Sequence, residues 1–209
     1  MSPFPSGLVP YSANPKYPPP NAPKGGRPVP QKVVCVTGMP GSGKEEFVKV
    51  ARELGFEVIR MGDIVREEAK NRGLHMDDQS VGGLANEERE KHGLGIWAAR
   101  ALPKLGGQRI IIDGIRGIAE IEVYKRAFPA NLFVVSIEAS SEIRYERIMR
   151  RKRKDATLTR GQFDERDERE REWGIERAMA DAEYTILNEG DLAEYQKEAR
   201  RVLEEIVRM

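Results

Sequence analysis

The chain has 209 residues, which suits one domain with some length left over. Charged residues make up 33% of it, but 35 lysines and arginines nearly balance 34 aspartates and glutamates, so the net charge of +1 excludes a whole-chain electrostatic case for nucleic-acid binding. The single cysteine excludes an internal disulfide, and neither a membrane span of roughly 18 apolar residues nor the apolar core of a signal peptide is present, so a cytoplasmic protein without membrane contacts is predicted.

Residues 1–31 differ in composition from the rest of the chain. They hold most of the prolines and almost no aliphatic side chains. Such a segment cannot bury enough apolar surface to fold alone, so a disordered Pro-rich tail is predicted, either a leader without function or a docking arm. Residues 32–209 are predicted to form the folded domain.

Strand and helix patterns alternate from Gln31 onward. Short apolar runs typical of buried parallel strands occur at residues 33–37, 56–59, 109–113, 132–137 and 184–187. Helical spacing of apolar residues occurs at residues 44–54, 62–71, 118–128, 141–151 and 191–207, and residues 79–106 resemble two polar helices. This alternation predicts an α/β fold, a doubly wound five-stranded parallel sheet with helices on both faces. Ligands of such sheets lie at the carboxyl ends of the strands.

A phosphate-binding loop of the pattern Gly-x4-Gly-Lys follows the first predicted strand. Its residues are Gly38, Met39, Pro40, Gly41, Ser42, Gly43 and Lys44. Glycines let backbone N–H groups converge on phosphate oxygens, the next helix adds its partial positive charge, and Lys44 reaches the β- and γ-phosphates. The order of strand, loop, lysine and helix predicts the P-loop NTPase fold.

The residue after the lysine departs from the usual pattern, in which a serine or threonine contacts Mg²⁺. Glu45 and Glu46 stand there instead. Either Mg²⁺ is held by water and other carboxylates, or one glutamate, Glu45, contributes to the nucleotide and metal site. Two acids in the first turn also suit the helix dipole without any metal role.

Further segments resemble the adenylate-kinase-like nucleotide kinases, which share this form of the loop. Residues 61–66 (Met-Gly-Asp-Ile-Val-Arg) are similar to the segment that opens their acceptor-binding region, here about residues 62–107, and residues 113–116 (Asp-Gly-Ile-Arg) are similar to their Asp-Gly-Phe-Pro-Arg segment with one residue missing. Residues 54–63 and 182–190 resemble dephospho-coenzyme A kinases comparably well. The likeness over residues 32–208 is greatest to an uncharacterised archaeal kinase-like family.

The resemblance implies roles for four side chains. Asp63 would act as a base or orient the acceptor, with a helix N-cap as the alternative, and Arg66 would grip an acceptor phosphate unless it is a solvated helix residue. Asp113 would hold Mg²⁺ through water, in the manner of a Walker-B carboxylate, or cap a buried turn. Arg116 would bind the acceptor phosphate or serve a structural role.

A basic block covers residues 147–154. Blocks of like charge are usually solvated, but in these kinases a lid lies after the fourth strand and its helix, here about residues 150–163, and lid arginines stabilise charge on the transferring phosphoryl group. Arg147 and Arg151 are one helical turn apart and are the predicted phosphate contacts. The block has no interleaved aromatic residues for base stacking, which makes nucleic acid an unlikely partner.

Three later features are weaker signals. Residues 163–177 are dense in Glu and Arg, and pairs at i,i+4 spacing such as Asp167 with Arg171 favour an exposed helix. Trp173 is predicted to be a packing residue. Asn188, after the last strand, is predicted to contact a nucleotide base or to stabilise a turn.

These features predict a phosphotransferase that uses ATP and Mg²⁺ on a small phosphate-bearing acceptor. A hydroxyl acceptor would use Asp63 as a base, whereas two arginines suit an acceptor that carries phosphate, and dephospho-coenzyme A has both features. A nucleoside monophosphate stays open. The alternative is an ATP-binding regulatory or RNA-associated protein with weak hydrolysis.

Overall fold

The computed structural model describes residues 31–150 and 159–209. The Pro-rich tail predicted for residues 1–31, apart from Gln31, lies outside the described residues. Arg151 and most of the predicted lid also lie outside them.

Five strands form one parallel sheet, which confirms the predicted architecture. The strands are β1 (Lys32–Thr37), β2 (Glu57–Arg60), β3 (Arg109–Ile115), β4 (Leu132–Glu138) and β5 (Tyr184–Leu187). Their order in the sheet is β2-β3-β1-β4-β5, and Val34 of β1 lies opposite Ile111 of β3 and Phe133 of β4. Runs of β-branched residues suit these central strands because both faces of the sheet are covered.

Helices connect the strands within the described residues. They are α1 (Lys44–Glu53), α2 (Met61–Asn71), α3 (Asp78–His92), α4 (Ile96–Ala101), α5 (Ile118–Ala127), α6 (Ser141–Arg150), α7 (Arg160–Glu172), α8 (Ile175–Ala180) and α9 (Leu192–Arg208). The Asp191 side chain caps α9 by accepting the N–H groups of Ala193 and Glu194.

Two helix predictions were wrong in character. Helix α4 is not polar, because Trp97 and its neighbours are buried and the indole N–H donates to the carbonyl of Ala85. Residues 163–177 do not form one exposed helix, because a break at Gly174 separates α7 from α8, and Asp167 and Glu170 are buried. Short-range sequence patterns could not predict the burial of Asp167 and Glu170, because it depends on how α7 packs on the rest of the domain.

A hydrophobic core lies on each face of the sheet. Alternate residues of β3 point to opposite faces: Ile110 and Ile112 pack under α2 to α5 and α8, and Ile111 packs under α1 and α9. Cys35, predicted to be a core residue, is fully buried. Burial of one such isoleucine contributes on the order of 2 kcal/mol to the free energy of folding. Because many such residues are buried on both faces, the sheet gives the loops at its edge a stable base.

The carboxyl ends of the strands meet at one edge of the sheet. The chain leaves β1 for β2 on one side and later passes from β3 to β4 on the other side of β1, so connections diverge at the end of β1. That divergence opens a crevice, the usual ligand site of open α/β sheets. The last residues of the strands and the segments that follow them meet here, at residues 38–44, 60–66, 113–116, 138–144 and 187–191.

Candidate active site

The loop between β1 and α1 is built on glycines that no other residue could replace without strain. Gly38, Gly41 and Gly43 have φ angles of 134°, 85° and 108°, in the left-handed region. A Cβ atom on Gly38 would lie 2.3 Å from the carbonyl oxygen of Ile137 in β4. The loop therefore packs closely against the neighbouring strand, and its tight turn depends on these three glycines.

Lys44 lies across the inside of this loop. Its ammonium donates to the carbonyl oxygens of Gly38 and Met39, the latter at 3.1 Å. The pKa of Lys44 is lowered to about 7. Burial is the largest cause, the positive charge of Arg116 lowers the pKa further, and the negative charge of Asp113 acts in the opposite direction. The ammonium lacks a nearby anion strong enough to offset its desolvation, so this arrangement fits a phosphate group in the loop.

Nucleotide binding is expected to take up a proton near pH 8. In the free protein much of Lys44 is neutral above its pKa of about 7, and a bound polyphosphate raises that pKa because it favours the charged amine. Calorimetry with a non-hydrolysable ATP analogue in two buffers of different ionisation enthalpy measures the uptake. It should vanish at pH 5.5, where the amine is already charged. A binding enthalpy independent of buffer at pH 8 would contradict the prediction.

Two predicted ligand contacts lie behind the loop. The Asn188 side-chain amide donates to the carbonyl oxygen of Ser42 at 2.7 Å, and its own oxygen accepts from Arg147 at 3.2 Å. Arg147 also donates to the Ser42 carbonyl, at 3.4 Å. Tyr195, which the sequence patterns did not single out, donates its hydroxyl to the carbonyl of Gly43 at 3.2 Å. These three side chains thus hold the carbonyls of Ser42 and Gly43, which fixes the second half of the loop.

A buried ion pair joins the loop to α7. Arg144 donates to both carboxylate oxygens of Asp167 and to the carbonyl of Pro40 at 3.1 Å, and both charged side chains are almost fully buried. Asp167 is therefore paired with Arg144, and the predicted partner Arg171 is paired with Glu168 and Glu176 instead. Sequence reasoning missed Arg144, although it lies three residues before Arg147 on the same helix face.

Loss of Arg144 is expected to destabilise the whole domain. The Arg144→Ala variant leaves the Asp167 carboxylate buried without a counter-charge, at a cost of about 3–5 kcal/mol in the free energy of unfolding. The matched control is Arg150→Ala in the same helix, whose pair with Glu146 is 81% and 64% exposed and should change stability by less than about 0.5 kcal/mol. Urea unfolding monitored by circular dichroism compares the two. Equal stabilities would disprove the structural role of the pair.

Asp113 lies near the carboxyl end of β3, where its charge acts on Lys44. One of its carboxylate oxygens is buried without a hydrogen-bond partner among the described residues. Burial raises the pKa of Asp113, whereas Lys44 and Arg60 oppose that rise. Arg60 lies 4.0 Å from the other oxygen and also binds both oxygens of Glu45, at 2.8 and 2.9 Å. Partial burial acts against the charged form of Glu45, but the Arg60 hydrogen bonds prevail and lower its pKa. Glu45 is therefore an anion already neutralised by Arg60.

A magnesium ion fits this corner only together with phosphate oxygens and water. Among residues 31–150 and 159–209 no group of three or more His, Cys, Asp or Glu side chains could hold a metal ion. The unpartnered oxygen of Asp113 offers one anionic contact, and Mg²⁺ commonly binds through one or two carboxylates plus substrate phosphates.

Asp63 and Arg66 lie further out, on α2. They form an ion pair at 2.6 Å, and the side chains are 62% and 52% exposed. The helix begins at Met61 with Arg60 in the N-cap position, so the N-cap alternative for Asp63 is wrong. The side chain of Asp63 remains accessible to a ligand that approaches the mouth of the crevice.

A cavity of about 810 Å³ opens beside these residues, between α2, α3, the end of β3 and α7. Its lining carries five arginines, which are Arg66, Arg89, Arg116, Arg166 and Arg169, and three glutamates, which are Glu120, Glu165 and Glu170. Arg116 pairs with Glu170, and the guanidinium groups of Arg89 and Arg116 lie 4.6 and 5.6 Å from the ring centre of Trp173. The predicted acceptor residues Arg66 and Arg116 thus share one cavity. Arg89 and Glu170 belong to it as well, and no sequence motif indicated them.

Comparison with known proteins supports this description of the chain. A family model described as an AAA domain matches residues 37–163. The UPF0200 protein of Thermoplasma acidophilum is 44% identical over 174 residues, which cover 83% of this chain and 96% of that protein. The chain belongs to the archaeal UPF0200 family. The UPF0200/UPF0201 protein of Archaeoglobus fulgidus is 41% identical over 177 residues, but the match spans only 55% of that longer protein.

Solved structures share the fold at low identity. TT1252 from Thermus thermophilus superposes with a TM-score of 0.57 at 19% identity, over 84% of this chain and 98% of that one. A gluconokinase from Sinorhizobium meliloti gives a TM-score of 0.51 at 15% identity, over 84% and 93%. This UPF0200 chain has a P-loop kinase-like α/β fold, as its motifs predicted. In the described part of the chain no helix is both long and apolar enough to cross a bilayer.

Proposed function

We propose that the protein is an ATP-dependent phosphotransferase whose acceptor is a small, phosphate-bearing, nucleotide-type molecule. One observation carries the proposal. The phosphate-binding loop and the arginine-lined cavity adjoin at the same edge of the sheet, and Arg116 of the cavity is close enough to Lys44 to lower its pKa. A donor phosphate bound by Lys44 and an acceptor phosphate bound by Arg116 would therefore lie at the same edge of the sheet.

Each residue has a distinct part in this proposal. Backbone N–H groups of the loop, other than at Pro40 and at Ser42, whose N–H donates to the Met39 carbonyl, and the Lys44 ammonium would hold the donor phosphates, because phosphoryl transfer depends on positioning and on neutralising charge. Asn188, Arg147 and Tyr195 keep the loop in shape from behind. Asp113 would hold a magnesium ion, which when bound supplies positive charge to the phosphates. Arg151 stays a predicted phosphate contact.

The chemistry of the acceptor depends on Asp63. Its carboxylate is exposed and paired with Arg66, which lines the cavity. If the acceptor offers a hydroxyl, as dephospho-coenzyme A does, Asp63 can accept the proton and Arg66 can hold the acceptor phosphate. If the acceptor is a nucleoside monophosphate, its phosphate attacks without a base and Asp63 serves only to orient Arg66.

A transfer assay tests the proposal. The protein is incubated with labelled ATP, Mg²⁺ and, in turn, dephospho-coenzyme A, each nucleoside monophosphate and short RNA oligomers, and transfer of the terminal phosphate is measured. Transfer to one of the small molecules is expected. No transfer to any of them, together with tight RNA binding, would favour an ATP-binding RNA-associated protein instead.

Replacement of Asp63 by asparagine is expected to separate the two acceptor classes. With a hydroxyl acceptor, kcat should fall about 10²-fold or more, because a general base is lost, while KM changes little. With a phosphate acceptor, kcat should stay within a few-fold and KM should rise as Arg66 loses its partner. The exposed Glu67→Gln, four positions on in the same helix, serves as the control and should change neither value. An unchanged kcat and KM with the true acceptor would exclude any role for Asp63.

A further inference from the structure

Three polar atoms that belong to residues lining the cavity are buried and lack hydrogen-bond partners among the described residues. They are one terminal nitrogen of Arg89, one oxygen of Glu120 and one oxygen of Glu170, and each of these residues is at least 93% buried. A buried polar group without a partner costs about 1–3 kcal/mol, so native structures seldom retain one without a reason. All three belong to charged side chains that line one cavity, so the charges on this wall are incompletely paired in the free protein.

Glu170 is paired with Arg116, a cation that an anionic ligand in this cavity would need. Its carboxylate pairs with Arg116, the residue predicted to hold the acceptor phosphate, and only one of its two oxygens is satisfied there. A carboxylate carries one negative charge, whereas a phosphate monoester carries about two and has three acceptor oxygens. A phosphate group would therefore satisfy Arg116 more completely than Glu170 does.

The positive charge around Arg116 exceeds what Glu170 supplies. The cavity has five arginines against three glutamates, and burial followed by the nearby Arg166 lowers the pKa of Arg116 to about 10. Arg89 lies 3.6 Å from Glu120, which is an ion-pair distance without a hydrogen bond, and keeps one nitrogen unpartnered. Trp173 packs against both guanidinium groups, and the positive charge of Arg89 is among those that lower the pKa of Arg116, so the two cations lie in one region of the cavity wall. Two adjacent guanidinium groups form a ready receptor for one dianionic group.

We propose that Glu170 is an internal competitor for the acceptor, occupying Arg116 in the free protein and yielding it to an acceptor phosphate that also binds Arg89. This inference rests on the proposed function, and it assigns the acceptor class as phosphate monoesters, which excludes dephospho-coenzyme A because its phosphates lie in a diphosphate diester. A neutral acceptor gains nothing from Arg116 and cannot displace Glu170, so the exchange also selects against acceptors without phosphate.

The exchange has a route to the donor loop. Glu170 lies three residues after Asp167 on the buried face of α7, and Asp167 holds Arg144, which binds the Pro40 carbonyl of the loop. Release of Glu170 removes one of the two buried carboxylates that, with Phe163, anchor this helix. Binding of the acceptor thus acts on the same helix that supports the phosphate-binding loop.

Calorimetric titration with inorganic phosphate tests the competitor role. The full-length protein is first saturated with a non-hydrolysable ATP analogue and Mg²⁺, so that injected phosphate reports the cavity and not the loop. In Glu170→Gln the phosphate should bind about tenfold more tightly than in the unaltered protein, because one competing charge-assisted hydrogen bond is removed. Adding Arg116→Gln to either protein should abolish that binding.

Glu165→Gln is the matched control, since Glu165 lines the same cavity on an exposed position of the same helix. Its phosphate affinity should stay within about twofold of the unaltered protein, as expected for a screened surface charge. An equal gain in Glu165→Gln would mean that only net charge matters, and no gain or a loss in Glu170→Gln would mean that Glu170 is purely structural. Either result overturns the proposal, as does a failure of phosphate to bind any of these proteins.

Two provisions keep the outcome clear. If Glu170→Gln does not fold, Glu170→Asp shortens the competing carboxylate and should give a smaller gain in the same direction, and no gain there also overturns the proposal. If the loop does not bind the ATP analogue, the proposed function has failed, but the same comparison in a Lys44→Ala background still tests Glu170.

Discussion

Replacement of Lys44 by alanine is expected to reduce phosphoryl transfer by about 10³-fold or more, because the amine is the cation that neutralises the transferring group inside the loop. The structure gives the reason that the loss should be confined to function. The Lys44 ammonium donates to the Gly38 and Met39 carbonyls, and its pKa is lowered to about 7 chiefly because burial disfavours its charge. Removing a charge that the fold holds at a cost should leave the free energy of unfolding unchanged or slightly higher.

The control for this experiment is Lys49→Ala. Lys49 lies five positions further along α1, is 56% exposed and pairs with Glu46 on the surface. Its loss should affect neither transfer nor stability. Transfer rates from single-turnover assays and unfolding curves are compared for both variants. Transfer at the normal rate by folded Lys44→Ala protein would show that the loop does not carry the γ-phosphate.

The parts of the fold that the sequence revealed are those governed by local rules. Gly38, Gly41 and Gly43 have positive φ angles that favour glycine, so the loop can be recognised from seven residues. The buried strands appear as β-branched runs, since both faces of the sheet are covered. Strand order follows less directly, but alternating helices and right-handed crossovers leave few arrangements.

The parts that sequence patterns missed depend on contacts between distant residues. Arg144 and Asp167 are 23 positions apart, and Asp167 and Glu170 lie in a Glu- and Arg-rich stretch whose composition is typical of a solvated helix. A signal was nevertheless present. Phe163, Asp167 and Glu170 are spaced by four and three residues, as on one face of a helix, and the face with an aromatic residue is the one that docks.

The position of Asn188 after the last strand was predicted correctly, but the contact that it makes in the structure differs from the predicted contact with a nucleotide base. It follows β5 at the edge where nucleotides bind, which motivated a base contact. In the structure its amide is committed to the Ser42 carbonyl, and a Cβ atom on Gly43 would lie 2.0 Å from its nitrogen. The predicted base contact therefore remains a prediction that would require Asn188 to serve two partners at once.

This close approach makes Gly43→Ala the second variant with a large expected effect. The new methyl group would displace the Asn188 amide from Ser42, and alanine at φ 108° adds backbone strain of about 1–2 kcal/mol. We expect a loss of about 3 kcal/mol in the free energy of unfolding, which sums the strain and a lost buried hydrogen bond, and loss of measurable binding of an ATP analogue.

Gly55→Ala separates the two causes, because Gly55 ends the same helix that Gly43 begins. Its φ is 79°, and a Cβ atom there would meet nothing within 4 Å, so only backbone strain of about 1–2 kcal/mol is added. Nucleotide affinity should be unchanged in this control. If Gly43→Ala were no less stable than Gly55→Ala and still bound the analogue, the contact between Asn188 and the loop could not be what holds the loop in its binding shape. If instead Gly43→Ala is less stable than Gly55→Ala and alone fails to bind the analogue, then loop geometry and nucleotide binding depend on the same 2.7 Å hydrogen bond from Asn188 to Ser42.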